Sequence, residues 1–109
     1  TIIAQAHIER WLSYLIEKDN AGAEAYFRQP EVKNEILAAA GRCIYSRLYI
    51  PSPYTVQERN YFAFCFWLCY QDNLAYEEFV KIGSCVTEFP WIYMEEPLTA
   101  FHRARNQCW

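Results

Sequence analysis

The sequence predicts an all-α fold, a single-domain bundle of five or six helices around a buried aromatic central helix. Apolar residues recur at helical spacing in several segments, first in the series Ile8, Trp11, Leu12, Leu15 and Ile16. The 5 prolines lie at the starts of these segments or between them, where a helix tolerates them. Because 53% of the 109 residues are hydrophobic, the chain can bury one core but not two, and residues 1–109 are expected to form one domain.

The first three helices follow from this periodicity and from the residues that interrupt it. The first is predicted over 3–18, and Asn20 is predicted to cap a short second helix that reaches Gln29, because its side chain can accept from free first-turn amides. Pro30 suits the first turn of a third helix over 31–49, where its missing N–H loses no hydrogen bond. Gly41 is expected to allow a close helix crossing on the apolar seam of Leu37, Ala40, Gly41, Ile44 and Leu48.

The fourth helix is predicted to be the centre of the bundle. It follows a break at 50–54, where two prolines exclude a helix, and Thr55 and Glu58 form a capping-box pattern that places its start at Val56. The segment 61–70 is apolar all round, which is typical of a helix surrounded by others. A strand is the alternative for so aromatic a segment, but the cap and the length favour a helix. The most buried residues are expected to include Phe62, Cys65, Phe66, Leu68 and Cys69.

The last two helices are bounded by turn residues and by proline. Asp72 and Asn73 form a turn and cap before a helix predicted over 74–85. Residues 87–96 contain Pro90 and show no clear period, so they are expected to form a loop or one irregular turn. Pro97 then begins a helix that ends near Gln107.

The cysteines and the apolar segments indicate a cytoplasmic protein. Five cysteines, an odd number without a disulfide-framework spacing, are expected to be free thiols that pack mainly as small hydrophobic residues. Cys65 and Cys69 could be zinc ligands only with two more ligands, which no C-x-x-C or H-x3-H pair supplies, so no metal is expected. The longest strongly apolar stretch, 61–70, is about half a bilayer span, and residues 1–7 do not resemble a secretory signal. We therefore expect no membrane partner.

Catalytic and cofactor motifs are not found in the sequence. Neither His7 nor His102 lies in a nucleophile, zinc or phosphate motif, and the 3 glycines are isolated, so no phosphate-binding loop exists. Cys108 and His102 could be written as a dyad, but Cys108 is next to the last residue, where chains fray. The protein is expected to be no enzyme and to use no cofactor.

The acidic segment 71–97 is the most informative feature for function. It carries six acids and one lysine in a chain of net charge -3, and aromatic residues lie between the acids. Aromatic anchors rimmed by one sign of charge are typical of protein-binding surfaces. We therefore expect a binding module that blocks a basic, nucleic-acid-facing or nuclease-like surface of a partner protein, as small bacterial or phage inhibitors and immunity proteins do. The expected contact residues are Asp72, Glu77, Glu78, Glu88, Trp91, Tyr93, Glu95 and Glu96.

Two alternatives to this interpretation remain open. The acids could form an ordinary solvated face over core aromatics, in which case Trp91 and Tyr93 would not supply the affinity. A different face could bind a small nucleotide or oligonucleotide by stacking and by guanidinium contacts to phosphate. An isoelectric point near 5.3 argues against extended nucleic acid as the ligand. The residues of this second face are Arg42, Tyr45, Arg47, Tyr49 and Arg59, with Tyr54 beside them.

Overall fold

Six α-helices and one turn of 3₁₀ helix make up the fold in the computed structural model, which describes residues 1–108. No strand occurs in this range, so the all-α prediction is confirmed. None of the helices in the described range combines the length and the hydrophobicity needed to cross a bilayer. The elements are α1 (Ile2–Ile16), α2 (Asn20–Tyr26), α3 (Pro30–Arg42), α4 (Thr55–Leu68), α5 (Asp72–Ile82), the 3₁₀ turn (Trp91–Tyr93) and α6 (Pro97–Gln107).

The fourth helix lies at the centre, as predicted. It packs against α5, α1 and α3, and every residue from Asn60 to Phe66 is buried. The strand alternative for this segment is therefore wrong. Of the residues expected to be most buried, Phe62, Cys65, Phe66 and Cys69 are buried, whereas Leu68 is only half-buried at the helix end.

Aromatic rings join the central helix to its neighbours. The ring of Phe64 meets Trp11 of α1 and Trp91 edge to face, with centroids 5.5 and 5.2 Å apart. Trp91 also packs edge to face on Phe101 of α6, which in turn contacts Phe79 of α5. Such pairs contribute about 1 kcal/mol each beyond the burial of their area. One aromatic cluster thus connects α1, α4, α5, α6 and the 3₁₀ turn.

The third helix is shorter than its periodicity predicts. It ends at Arg42, and the ring of Tyr45 stacks on Phe66 while its hydroxyl donates to Glu78 at 3.0 Å. A continuing helix would not deliver this ring and hydroxyl to α4 and α5 together, so tertiary packing overrides the local preference. Leu48, predicted on the seam, is consequently one of the most exposed side chains.

Three local expectations about helix ends and crossings are also wrong. The cap of α2 is Asp19, whose carboxylate accepts from the Gly22 amide at 2.9 Å, so Asn20 is the first helical residue. Gly41 is exposed, and a Cβ there would meet nothing within 4 Å, so no helix crosses close to it. Asp72 opens α5 directly, and Gly83, with φ 58°, ends it three residues before the expected limit of the helix.

The start of α4 does not use the expected capping box. The helix begins at Thr55 itself, whose hydroxyl accepts from the Ser52 amide at 2.8 Å. The carboxylate of Glu58 accepts from the hydroxyl of Thr1 and from the thiol of Cys43, which come from other parts of the chain. Long-range donors have therefore replaced the local reciprocal pair.

A buried amide fixes the segment that follows α5. Asn60 is completely buried, and its Nδ2 donates to the carbonyls of Val56 at 2.7 Å and Cys85 at 3.1 Å. Its Oδ1 accepts from the Thr87 amide at 3.3 Å and from Nε1 of Trp91 at 2.9 Å. All four hydrogen-bonding positions of this amide are thereby used.

We expect Asn60→Ala to lower the free energy of unfolding by about 3 kcal/mol, because it leaves the buried Trp91 indole N–H and the partly buried Thr87 amide without their acceptor. Urea denaturation followed by circular dichroism measures this change. Asn34→Ala, at an exposed position of α3, is the control and should change stability by less than about 0.5 kcal/mol. Equal, small effects of the two substitutions would contradict the anchoring role.

Candidate functional site

Glu78, an expected contact residue, is part of the protein interior. Its carboxylate is fully buried and accepts from Arg59 at 2.6 Å and from the Tyr45 hydroxyl at 3.0 Å, with Lys81 Nζ at 3.4 Å. Burial and the adjacent Glu78 carboxylate raise the pKa of Tyr45, so this phenol stays protonated. The network joins α4, α5 and the loop after α3. Glu78 cannot therefore contact a partner in this structure.

The other acids do not surround one set of aromatic rings. Asp72 and Glu77 are exposed on α5, and Asp72 accepts a long hydrogen bond from the thiol of Cys108 at 3.8 Å. Glu88, Glu95 and Glu96 instead flank the 3₁₀ turn. The expected contact residues thus divide between a helix and a turn.

Trp91, the expected main anchor, is fully buried. Its indole N–H donates to Asn60, and this inward position is the physical reason that it cannot serve as an exposed anchor. Tyr93 is half-buried, with its ring centroid 5.4 Å from that of Phe89. The exposure that the sequence-based interpretation required of Trp91 is therefore absent.

A different group of apolar side chains is exposed around this turn. Ile92 lies beside the inward-facing Trp91, and it is one of four apolar residues between 89 and 98 that have 40–51% of their surface exposed. We call this group the Phe89 surface, and it consists of Phe89, Ile92, Met94 and Leu98. Sequence reasoning missed Ile92 and Leu98 because it ranked the segment by aromatic content. The available signal was the residue type, because tryptophan is highly buried on average in folded proteins.

The acidic residues beside the Phe89 surface differ in their exposure and in the partners that they bind. Glu88 is exposed, whereas Glu95 forms an ion pair with Arg103 at 3.0 Å. Glu96 is exposed and caps α6 by accepting from the amides of Thr99 and Leu98. Hydrogen bonds from Thr99 and then Leu98 lower the pKa of Glu96, so it remains ionised at neutral pH. The margin of the surface is therefore negative.

The Arg and Tyr residues of the nucleotide-binding alternative are mostly engaged within the protein. Arg59 and Tyr45 both bind Glu78, and the hydroxyl of Tyr49 lies 2.7 Å from the Glu58 carboxylate. Arg42 and Arg47 are exposed. The structure therefore does not bring the five residues together as one open face for a base and a phosphate.

A hydrogen-bonded chain of side chains that sequence analysis did not single out links α1, α2 and α3. Nδ1 of His7 lies 2.6 Å from the Tyr26 hydroxyl, and Nε2 lies 2.8 Å from the Glu35 carboxylate. In the tautomer that carries its proton on Nε2, His7 donates to Glu35 and its Nδ1 accepts from the Tyr26 hydroxyl. Burial, foremost, raises the pKa of Tyr26, which opposes its use as a nucleophile. His7, Tyr26 and Glu35 border an open cleft of about 330 Å³. Sequence analysis missed this group because its three residues are too far apart in sequence to form a spacing motif.

The cysteines are unpaired and differ in exposure. Cys65, Cys69 and Cys108 are buried, Cys43 is half-buried and Cys85 is exposed. Burial raises the pKa of Cys69 to about 12 and that of Cys65 well above its ordinary value. Within residues 1–108, no group of three or more His, Cys, Asp or Glu side chains converges as a metal site would require.

We expect Arg59→Met to lower the free energy of unfolding by about 3 kcal/mol, because it removes the 2.6 Å ion-pair partner of the buried Glu78 carboxylate. Arg42→Met, at an exposed position, should cost less than about 1 kcal/mol. Urea denaturation of both variants measures the difference. If Arg59→Met were as mild as Arg42→Met, Arg59 would not be a structural residue and would be free for a ligand.

The chain was also compared with known proteins. No protein-family model, curated protein or solved structure matches it.

Proposed function

We propose that this protein is a non-enzymatic binding module that docks on a basic surface of another protein through the Phe89 surface. The observation that carries the proposal is the exposure of Phe89, Ile92, Met94 and Leu98 within ten residues of chain. Large apolar side chains that cluster on the surface of a folded domain are typical of protein-binding sites. The contact residues are thus revised from Trp91 to its outward-facing neighbours.

The rigidity of the Phe89 surface supports a binding role. Trp91 is fixed by its hydrogen bond to Asn60 and by packing against the rings of Phe64 and Phe101. The turn that carries Ile92 therefore has a fixed position. Glu96 caps the following helix, on which Leu98 lies. A surface that is already ordered loses less conformational entropy when it binds.

The charge around the surface supports a basic partner. Glu88 and Glu96 are exposed at its margin, and Arg103 offsets only the charge of Glu95. Complementary charge mainly speeds association and excludes wrong partners, whereas apolar anchors supply the affinity. Occupying a nucleic-acid-facing or nuclease-like surface in this way would make the protein an inhibitor or immunity-type protein.

We expect Ile92→Ala/Met94→Ala to weaken partner binding by at least about tenfold, because the two substitutions truncate adjacent apolar contacts. Affinity capture from a lysate of the source organism, with the variant and the unmodified protein as baits, identifies the partner, and titration with the purified partner measures the affinity. Ile16→Ala/Val80→Ala is the matched control, since both positions carry exposed aliphatic side chains on other helices, and it should bind normally.

Charge reversal separates the electrostatic contribution. Glu88→Lys should slow association and weaken its salt dependence, while Glu17→Lys makes the same change in net charge at the exposed residue that follows α1 and should have less effect. The proposal fails if all baits recover the same proteins in equal yield. It also fails if the Phe89 surface serves self-association, seen as a concentration-dependent dimer that Ile92→Ala/Met94→Ala abolishes.

We also propose the cytoplasm as the compartment, since five unpaired cysteines in 109 residues suit a reducing environment. Titration in denaturant without reductant should return five free thiols from the freshly purified protein. In the folded protein, exposed Cys85 should react first, and Cys65 and Cys69 last, because burial raises the pKa values of both thiols. A return of one thiol would indicate two disulfides and contradict a reducing compartment.

A further inference from the structure

The loop between α3 and α4 presents a second apolar group to solvent, and its exposure is more extreme than that of the Phe89 surface. We call residues 43–54 the Leu48 loop. Leu48 is 88% exposed, Ile50 82% and Tyr54 70%. Tyr54 also lines an open cleft with Thr1 and Ser52.

The Leu48 loop is held in this conformation from its inner side. Ile44 is buried, the Tyr45 ring stacks on Phe66, and the Tyr49 hydroxyl reaches Glu58. Further along the loop, the Ser52 hydroxyl accepts from the Tyr54 amide at 3.1 Å. Leu48 and Ile50 alternate with the inward-facing Tyr49, so they cannot turn inward without releasing that anchor.

Positive charge accompanies these apolar side chains. Arg47 directly precedes Leu48, and Arg42 ends α3 just before the loop, both of them exposed. Thr1 lines one cleft with Arg42 and another with Tyr54. The carboxylate of Glu58 is half-buried and accepts hydrogen bonds from Thr1, Cys43 and Tyr49, whereas Glu77 of α5 is exposed near Tyr45. Exposed Arg42 and Arg47, with Lys81 over the Tyr45 ring, outnumber this exposed acid in a chain of net charge -3.

We propose that the Leu48 loop inserts into the interface of a bilayer that contains anionic lipid. Leu48 and Ile50 would enter the acyl boundary, Tyr54 would lie at the headgroup level, and Arg42 and Arg47 would contact the acidic headgroups. A fluid bilayer accommodates exposed apolar side chains without a preformed pocket, and its anionic headgroups complement the exposed Arg42 and Arg47. The expectation of no membrane partner came from the lack of a spanning segment, and peripheral insertion requires none.

Cosedimentation with vesicles tests the proposal. The vesicles are pure phosphatidylcholine or equal parts phosphatidylcholine and phosphatidylglycerol, at low and at physiological salt. The unmodified protein should partition onto the anionic vesicles at least about tenfold more strongly than onto the zwitterionic ones, and salt should weaken this binding. Leu48→Glu/Ile50→Glu should lower partitioning at least about tenfold, because it places two charges where the acyl boundary is proposed.

Matched variants separate the contributions of the loop from general effects. Arg42→Gln/Arg47→Gln should lose binding to the anionic vesicles about tenfold, whereas Arg10→Gln/Lys18→Gln removes two exposed charges on and just beyond α1 and should lose less. Ile16→Glu/Val80→Glu is the control for the apolar substitutions and should bind more strongly than Leu48→Glu/Ile50→Glu. Thermal denaturation followed by circular dichroism checks that each variant is folded.

Three results would overturn the proposal. One is no binding of the unmodified protein to anionic vesicles at low salt. Another is equal binding by the Leu48→Glu/Ile50→Glu variant. The third is a concentration-dependent oligomer that this variant abolishes, with no vesicle binding, which would make a second copy of the chain the occupant. None of these results bears on the Phe89 surface, so the two proposals fail separately.

Discussion

The hydrogen bonds of one buried side-chain amide determine which side chains in the segment after α5 are buried and which are exposed. Asn60 connects the middle of α4 by hydrogen bonds to the carbonyl of Cys85, the amide of Thr87 and the indole of Trp91. Since an unsatisfied polar group in this core would cost more than a typical net hydrogen bond contributes, the segment has one favourable position. With Trp91 inside, Phe89 and Ile92 must face outward.

Two carboxylates fix the position of the Leu48 loop by accepting hydrogen bonds, just as Asn60 fixes the position of the segment after α5. Glu78 holds Tyr45 and Arg59, and Glu58 holds Tyr49 and Cys43. A buried ion pair adds little net stability, but it penalises arrangements that leave its charge without a partner. Side-chain hydrogen bonds to α4 and α5 therefore position the irregular segments of this protein. The Phe89 surface and the Leu48 loop both owe their geometry to such anchors.

The sequence predicted the elements that hydrophobic pattern and proline placement decide, and it failed where distant partners decide and at some local caps, such as that of α2. The bounds of α6 and the burial of Phe62, Cys65 and Phe66 followed from proline placement and hydrophobic pattern. The end of α3, the role of Glu58 and the inward position of Trp91 depend on partners 33, 57 and 31 residues away, which no spacing rule identifies. For the same reason the acids were grouped by their proximity in sequence, although Glu78 lies in the interior.

Complete burial of the run from Asn60 to Phe66 has a consequence for how this sequence can diverge. A helix with one solvent-exposed face tolerates substitutions at every third or fourth residue. This periodicity identifies the segment as a helix in a set of related sequences. Here seven consecutive positions are constrained together. Variation among descendants of this chain should therefore stop abruptly at both ends of the run, and its pattern would imitate that of a buried strand.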